Sequence, residues 1–205
     1  MTTIKITDTD YESAVDVAHA LLQTKGVMVY PTDTVYGIGG DATSDEVVEK
    51  ILKIKGIAEK RPLSVMVADV GMIDYYCETG LWEDMILGRY LPGPYTFILK
   101  RDGRRYIAAS TGETLGVRIP DSPFCQALCK AFGKPIITTS ANPTGQPAPT
   151  GIEGVDGGVL GAVDLVIDGG PTKYRSPSLV ADLVERKVLR EGSSKEITLV
   201  ELPER

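Results

Sequence analysis

VMVYPTDTVYGIGGDATSDEVVEKILKIK (27–55) decides the fold. Its first five residues form a compact apolar run ending at Pro31, which predicts a buried strand. PTDTVYGIGGDAT (31–43) follows, with three glycines and five small hydroxyl or carboxyl side chains, and predicts a loop. Ser44 or Asp45 can then cap a helix on which Val47, Val48, Ile51, Leu52 and Ile54 recur at helical spacing. Strand, glycine-rich loop and helix in direct succession make an α/β unit. In such units ligands collect where the strand releases the chain.

The same alternation continues outward. Ile4 and Ile6 suggest a short strand, and Asp8 or Asp10 a cap for a helix bearing Ala14, Val15, Ala18, Leu21 and Leu22, stopped at Gly26. LSVMVAD (63–69) predicts a strand, followed by an apolar helical region to about Leu87. YTFILK (95–100) and LGVRIP (115–120) predict strands around a loop, and Asp121 or Ser122 a cap for a helix carrying Phe124, Leu128 and Phe132. PIITTSAN (135–142) is an apolar strand running into hydroxyl residues. GAVDLVIDGG (161–170), SLVADL (178–183) and KVLRE (187–191) close the chain as strands and turns. With no repeat and no linker, the expectation is one α/β domain over residues 1–205, with a mixed, twisted sheet flanked by helices.

Composition narrows the chemistry. The chain has 205 residues, 22 basic and 28 acidic, for a net charge of -6. That argues against a general nucleic-acid binder, but not against a pocket with a few local cations. One histidine, His19, excludes a two-histidine metal site, and no metal site is expected. His19 is read as a partly exposed helical residue. Cys77, Cys125 and Cys129 show no CxxC spacing and read as reduced core thiols of a cytoplasmic protein. No run approaches the roughly 18 apolar residues of a membrane span, and MTTIKITDTD has no secretory pattern.

Five segments could carry chemistry. PTDTVYGIGG (31–40) offers Thr32, Asp33, Thr34 and Tyr36 among glycines, and KIKGIAEKRP (53–62) puts Lys53, Lys55, Lys60 and Arg61 within nine residues. Such cations suit polyphosphate. TLGVRIP (114–120) holds Arg118 in an apolar run, where a cation calls for a carboxylate partner. TTSANPTG (138–145) supplies Thr138, Thr139, Ser140 and Asn142 as small donors, and SPSLVAD with VLREGS adds Ser178 and Arg190. Each segment alone is also compatible with an ordinary turn, helix end or structural ion pair. Ser140 lacks a GxSxG context, which argues against a hydrolase nucleophile.

Taken in order, PTDTVYG, LPGPYT, GVRIP, TSANPTG and VLREG resemble the YrdC-type domain, the threonylcarbamoyl-AMP synthase family, over about residues 10–193. The resemblance implies a twisted α/β fold with a concave, positively charged cavity. It implies that L-threonine, bicarbonate and ATP are joined into threonylcarbamoyl-AMP and pyrophosphate for the threonylcarbamoyladenosine modification of tRNA. By motif, Thr34, Arg118 and Ser178 would hold L-threonine, with Arg118 on its carboxylate. Arg61, Thr114, Thr138, Ser140, Asn142 and Arg190 would bind ATP, and Lys55 stands at the lysine of the family's K-x-R. Lys55, Arg61 and Arg118 would be the catalytic cations. Magnesium would bridge the phosphates, and the tRNA threonylcarbamoyltransferase machinery would be the partner, with at most a weak RNA contact around Lys50 to Arg61.

Three positions depart from the family pattern: Ile57 replaces the arginine of K-x-R, Met66 a common histidine, and Ala148 the serine of a later S-P-T. They keep a second reading open, a YciO-like paralogue that binds nucleotide or RNA without synthase activity.

Overall fold

The computed structural model describes residues 2–193, 197 and 199; the C-terminal tail beyond Ser193 otherwise lies outside the described residues. In chain order the strands are β1 (Thr2–Lys5), β2 (Met28–Pro31), β3 (Tyr36–Gly39), β4 (Val65–Met66), β5 (Cys77–Glu78), β6 (Tyr95–Arg101), β7 (Thr114–Arg118), β8 (Ile136–Ile137), β9 (Thr139–Ser140), β10 (Leu165–Asp168), β11 (Leu179–Asp182) and β12 (Lys187–Arg190). The helices are α1 (Glu12–Gln23), α2 (Asp45–Ile54), α3 (Val70–Tyr76), α4 (Leu81–Tyr90), α5 (Pro123–Phe132) and α6 (Gly157–Ala162).

The strands form two mixed sheets rather than the one expected. The first runs β1-β10-β2-β3-β9 and the second β12-β11-β6-β7-β4-β8, with β5 added beside β6. The segment 136–140 joins them: β8 pairs with β4 in the second sheet, and β9 pairs with β3 in the first. Its hydrogen bonds reach both ways, from Ile137 N to Gly40 O at 2.9 Å and from Thr138 N to Ser64 O at 2.8 Å. The crevice between the sheets therefore opens at the hydroxyl-rich end of that segment.

Alternation along β2 explains how the first sheet is held. Val27 and Val29 enter one apolar cluster with α2, β4, β6 and β7, while Met28 and Tyr30 enter another with α1 and α5. A strand with both faces covered needs an unbroken apolar run, which VMVYP provides. Burial of each large apolar side chain contributes roughly 1.5–3 kcal/mol. Cys125 and Cys129 lie on the inner face of α5, and all three cysteines are free and buried. Burial pushes the Cys77 and Cys125 thiols up to about 12, which makes them poor nucleophiles.

Several elements differ from expectation. The predicted loop after Pro31 contains β3, because Tyr36–Gly39 pairs antiparallel with β2. Its glycines hide the strand pattern. A Cβ at Gly39 would stand 1.9 Å from Ile137 O, so only glycine lets the two sheets approach there. Neither Asp8 nor Asp10 caps α1. Thr7 and Asp10 bond back to each other, the N-cap is Tyr11, and its N–H is taken by Glu12 Oε2. The helical region after residue 69 is two helices split by β5. Residues 157–162, partly read as strand, form α6, because Asp156 Oδ1 accepts from Gly158 N at 2.8 Å and Val159 N at 3.2 Å. Ser44 and Ser122 cap α2 and α5 as expected. Among the described residues no helix is long and apolar enough to cross a membrane.

Candidate active site

A cavity of about 330 Å³ lies where the sheets meet. Seven of the ten expected residues line it: Thr34, Arg118, Thr138, Ser140, Asn142, Ser178 and Arg190. They come from the β2–β3 turn, the end of β7, the 138–142 segment and the two C-terminal strands, so 156 positions of sequence separate the first from the last. Thr32, named with its segment but given no role, also lines it, as do Ser64, Thr96 and Gln146, which were not anticipated as site residues. Thr96 sits inside YTFILK, where strand alternation alone gives no hint of a ligand.

Arg118 is buried and ion-paired through Nη2 to Oδ1 of Asp33, whose side chain is also buried. Asp33 Oδ2 accepts from Asp121 N at 3.1 Å. Arg118 Nη1 donates to Thr34 Oγ1 at 3.0 Å, while its Nε is buried with no partner. Thr32 Oγ1 donates to Val35 O at 2.7 Å and accepts from Thr34 N at 3.1 Å and Val35 N at 3.3 Å, which uses its proton and both lone pairs on the turn itself. Thr34 Oγ1 lies 3.0 Å from it and accepts from Arg118.

Arg190 is the second guanidinium. Its Nη2 reaches Ser178 O at 2.9 Å and Ser178 Oγ at 3.2 Å, and Ser178 Oγ is 2.8 Å from Thr96 Oγ1. Partial desolvation, then repulsion from Arg118, lowers its pKa. Among the described residues no carboxylate pairs with Arg190. Two like charges facing one cavity, one without a counter-ion, favour an anion between them.

The 140–146 turn supplies the opposite wall. Asn142 Nδ2 donates to Gln146 O, which leaves its buried Oδ1 without a partner. Lys55 does not line the cavity. Its buried ammonium donates to Ser140 O at 2.6 Å and Asn142 O at 3.0 Å, so it braces the turn from behind. Burial lowers its pKa to about 8. Arg61 and Thr114 are exposed and are also absent from the lining.

The three unusual positions differ in placement. Ile57 packs on the larger apolar cluster, and Met66 is fully buried in the smaller one. Only Ala148 lines the cavity, where a serine would add a hydroxyl. Lys50 pairs with Asp164 at 2.6 Å and Lys60 with Asp45 at 3.0 Å. Of the five cations from Lys50 to Arg61, these two are ion-paired, Lys55 is buried against backbone carbonyls, and Lys53 and Arg61 are exposed without an ion-pair partner among the described residues.

A larger cavity of about 710 Å³ lies on the other side of the Thr32–Asp33 turn. Three carboxylates, Asp8, Asp33 and Asp121, line it against one Lys173. That charge repels polyphosphate, so chemistry rather than volume selects the smaller cavity. Among the described residues no group of three or more His, Cys, Asp and Glu is arranged to hold a metal ion.

Comparison with known proteins agrees with this geometry. The Sua5, YciO and YrdC family model, described as telomere recombination, matches residues 20–192. The chain is 37% identical over 169 residues to the putative threonylcarbamoyl-AMP synthase of Methanocaldococcus jannaschii, covering 81% of this chain and 79% of that one. It is 31% identical over 175 residues to the threonylcarbamoyl-AMP synthase of Vibrio campbellii, covering 83% and 95%. The crystal structure of P. abyssi Sua5 complexed with L-threonine superposes with a TM-score of 0.83 at 27% identity, covering 94% of this chain and 58% of the larger protein. E. coli YciO superposes at 0.84 and 28% identity, covering 94% and 96%. The match of sequence over most of the chain, and of fold over nearly all of it, makes this chain a member of the Sua5/YciO/YrdC family.

Proposed function

We propose that the protein is a threonylcarbamoyl-AMP synthase, which forms threonylcarbamoyl-AMP and pyrophosphate from L-threonine, bicarbonate and ATP. The observation that carries the reading is the pair of guanidiniums, Arg118 and Arg190, facing one hydroxyl-lined cavity with an orphaned donor and an orphaned acceptor in its walls. The relatives named as synthases support it.

The chemistry suits such a site. Threonine nitrogen adds to the bicarbonate carbon and water leaves, giving a carbamate whose oxygen attacks the α-phosphate and displaces pyrophosphate. The carbamate is a weak nucleophile, so rate comes from holding it in line and neutralising phosphate charge. Arg118 takes the threonine carboxylate through its free Nε edge, and Thr34 accepts from a ligand N–H or O–H. Arg190, Thr138 and Ser140 take the phosphates, and the Asn142 Oδ1 acceptor suits a ribose hydroxyl or adenine amino group. Lys55 acts on the nucleotide through the turn it braces. Arg61 and Thr114 act only if their segments close over the cavity. No carboxylate lines the cavity, so the Thr138 and Ser140 hydroxyls would be the residues beside a magnesium ion brought with ATP, whose chemistry would be to neutralise phosphate charge. The product is an activated acyl group for the tRNA threonylcarbamoyltransferase machinery, and the protein works in the cytoplasm.

Pyrophosphate release tests this. The reading expects release that requires L-threonine and bicarbonate together. ATP binding without such release would favour the YciO-like reading, whose support is Ala148 in the cavity wall, Ile57 turned to the core, and the full-length match to E. coli YciO.

A further inference from the structure

We infer that Asp33 is a positioning residue for amino-acid recognition, acting by fixing the Arg118 guanidinium that donates to Thr34. The choice of amino acid as ligand rests on the synthase reading above. Asp33 itself lines the neighbouring acidic cavity and is absent from the lining of the candidate site, so it acts through Arg118 and not on the substrate.

The geometry is a relay of committed donors. Asp33 Oδ1 takes Arg118 Nη2, and Asp33 Oδ2 takes the Asp121 N–H. A carboxylate held at both oxygens cannot swing. With Nη2 anchored, Nη1 falls 3.0 Å from Thr34 Oγ1, and Nε is the one guanidinium nitrogen left without an acceptor. Thr34 Oγ1 accepts from Arg118, while Thr32 is committed to the turn, donating to Val35 O and accepting from Thr34 N and Val35 N. Asp33 thus orients Arg118, and Arg118 in turn orients Thr34. Nε is left as the guanidinium nitrogen without an acceptor, beside the Thr34 hydroxyl in the cavity wall. A zwitterionic ligand carries the complementary pair, a carboxylate and an N–H.

Remove the Asp33 charge and the guanidinium can turn its paired Nη edge into the cavity. Arg118 would then grip any anion, phosphate included, and its bond to Thr34 would be lost. Asp33 therefore also buys discrimination between the amino-acid end and the nucleotide end.

The test uses Asp33→Asn and Asp33→Glu in the full chain, because loss of a buried charge partner can unfold the first. Asp33→Glu keeps the charge and displaces it by one methylene. Threonine and ATP dependence of pyrophosphate release are measured beside the 15N resonances of the Arg118 guanidinium, assigned by their loss in Arg118→Lys. The expected result is a threonine KM raised tenfold or more in either folded variant, an ATP KM within about threefold, and separate Nη signals that merge in the variant. Unchanged threonine KM with Nη signals still separate would overturn the inference, as would equal losses for threonine and ATP. If the wild type releases no pyrophosphate, the synthase reading fails. The guanidinium signals then judge the positioning role: merged signals sustain it and separate ones sink it.

Discussion

At the residue scale, burial sets the behaviour of Arg118 and Lys55, two of the four basic groups that the sequence placed in the site. Arg118 is shared between Asp33 and the cavity, so Arg118→Ala carries two costs. Loss of a charge-assisted bond to threonine costs roughly 1.5–3 kcal/mol of affinity. Stranding a buried carboxylate costs about 3–5 kcal/mol of stability. Calorimetric titration and denaturant unfolding should show both, with ATP affinity affected less than threonine affinity. Lys55 gives a pH signature. Its folded pKa of about 8 lies below its unfolded value of roughly 10.4. The unfolded chain therefore holds more protons between those values, and this lysine's unfavourable contribution shrinks as pH rises from 8 to 10.5. The raised thiol pKa values of Cys77 and Cys125 act in the opposite direction and cancel in a comparison with Lys55→Met. Stability of wild type relative to Lys55→Met should increase across that window; a flat difference would contradict the buried charge. The motifs made Thr34, Arg118 and Ser178 legible. Asp33 was visible only as a polar residue in a turn, because its partner lies 85 positions on. The placement of Lys55 behind the turn depends on the 140–142 carbonyls, which no linear pattern reveals.

At the element scale, long periodic segments were legible and glycine-rich ones were not. The α2 and α5 helices, with serine caps and apolar faces, match their sequence readings. The β3 strand was read as loop because YGIG has glycine at alternate positions, where strands carry side chains. Those glycines are there for a tertiary reason, the approach of β8. Gly39→Ala should consequently destabilise by about 1–3 kcal/mol or more, since backbone stands where the methyl would go. Gly112→Ala, with nothing within 4 Å of the added carbon, should change the unfolding midpoint little. Equal midpoints for the two variants would mean the sheets do not meet as described. The division into two sheets was equally hidden, because the 136–140 segment reads as one strand and serves both.

At the scale of the whole molecule, the net charge of -6 and the candidate site are compatible because charge is segregated. Two guanidiniums face the smaller cavity, while three aspartates line the larger one next to it. Ion pairs at Lys50 and Lys60 leave little basic surface for RNA. RNA binding by the isolated protein should be weak at physiological salt and fall steeply as salt rises, in a gel-shift or polarisation titration. Tight, salt-insensitive binding would contradict this charge map. The central claim, that threonine, bicarbonate and ATP are joined in the crevice between the sheets, has one direct test. Wild type and Arg118→Lys are incubated with 13C-bicarbonate, L-threonine and magnesium ATP, and the adenylate product is weighed by mass spectrometry. A threonylcarbamoyl-AMP one mass unit heavier from wild type, and at least tenfold less of it from Arg118→Lys, is the predicted result. ATP binding with no labelled adenylate, or equal label from the variant, would contradict it.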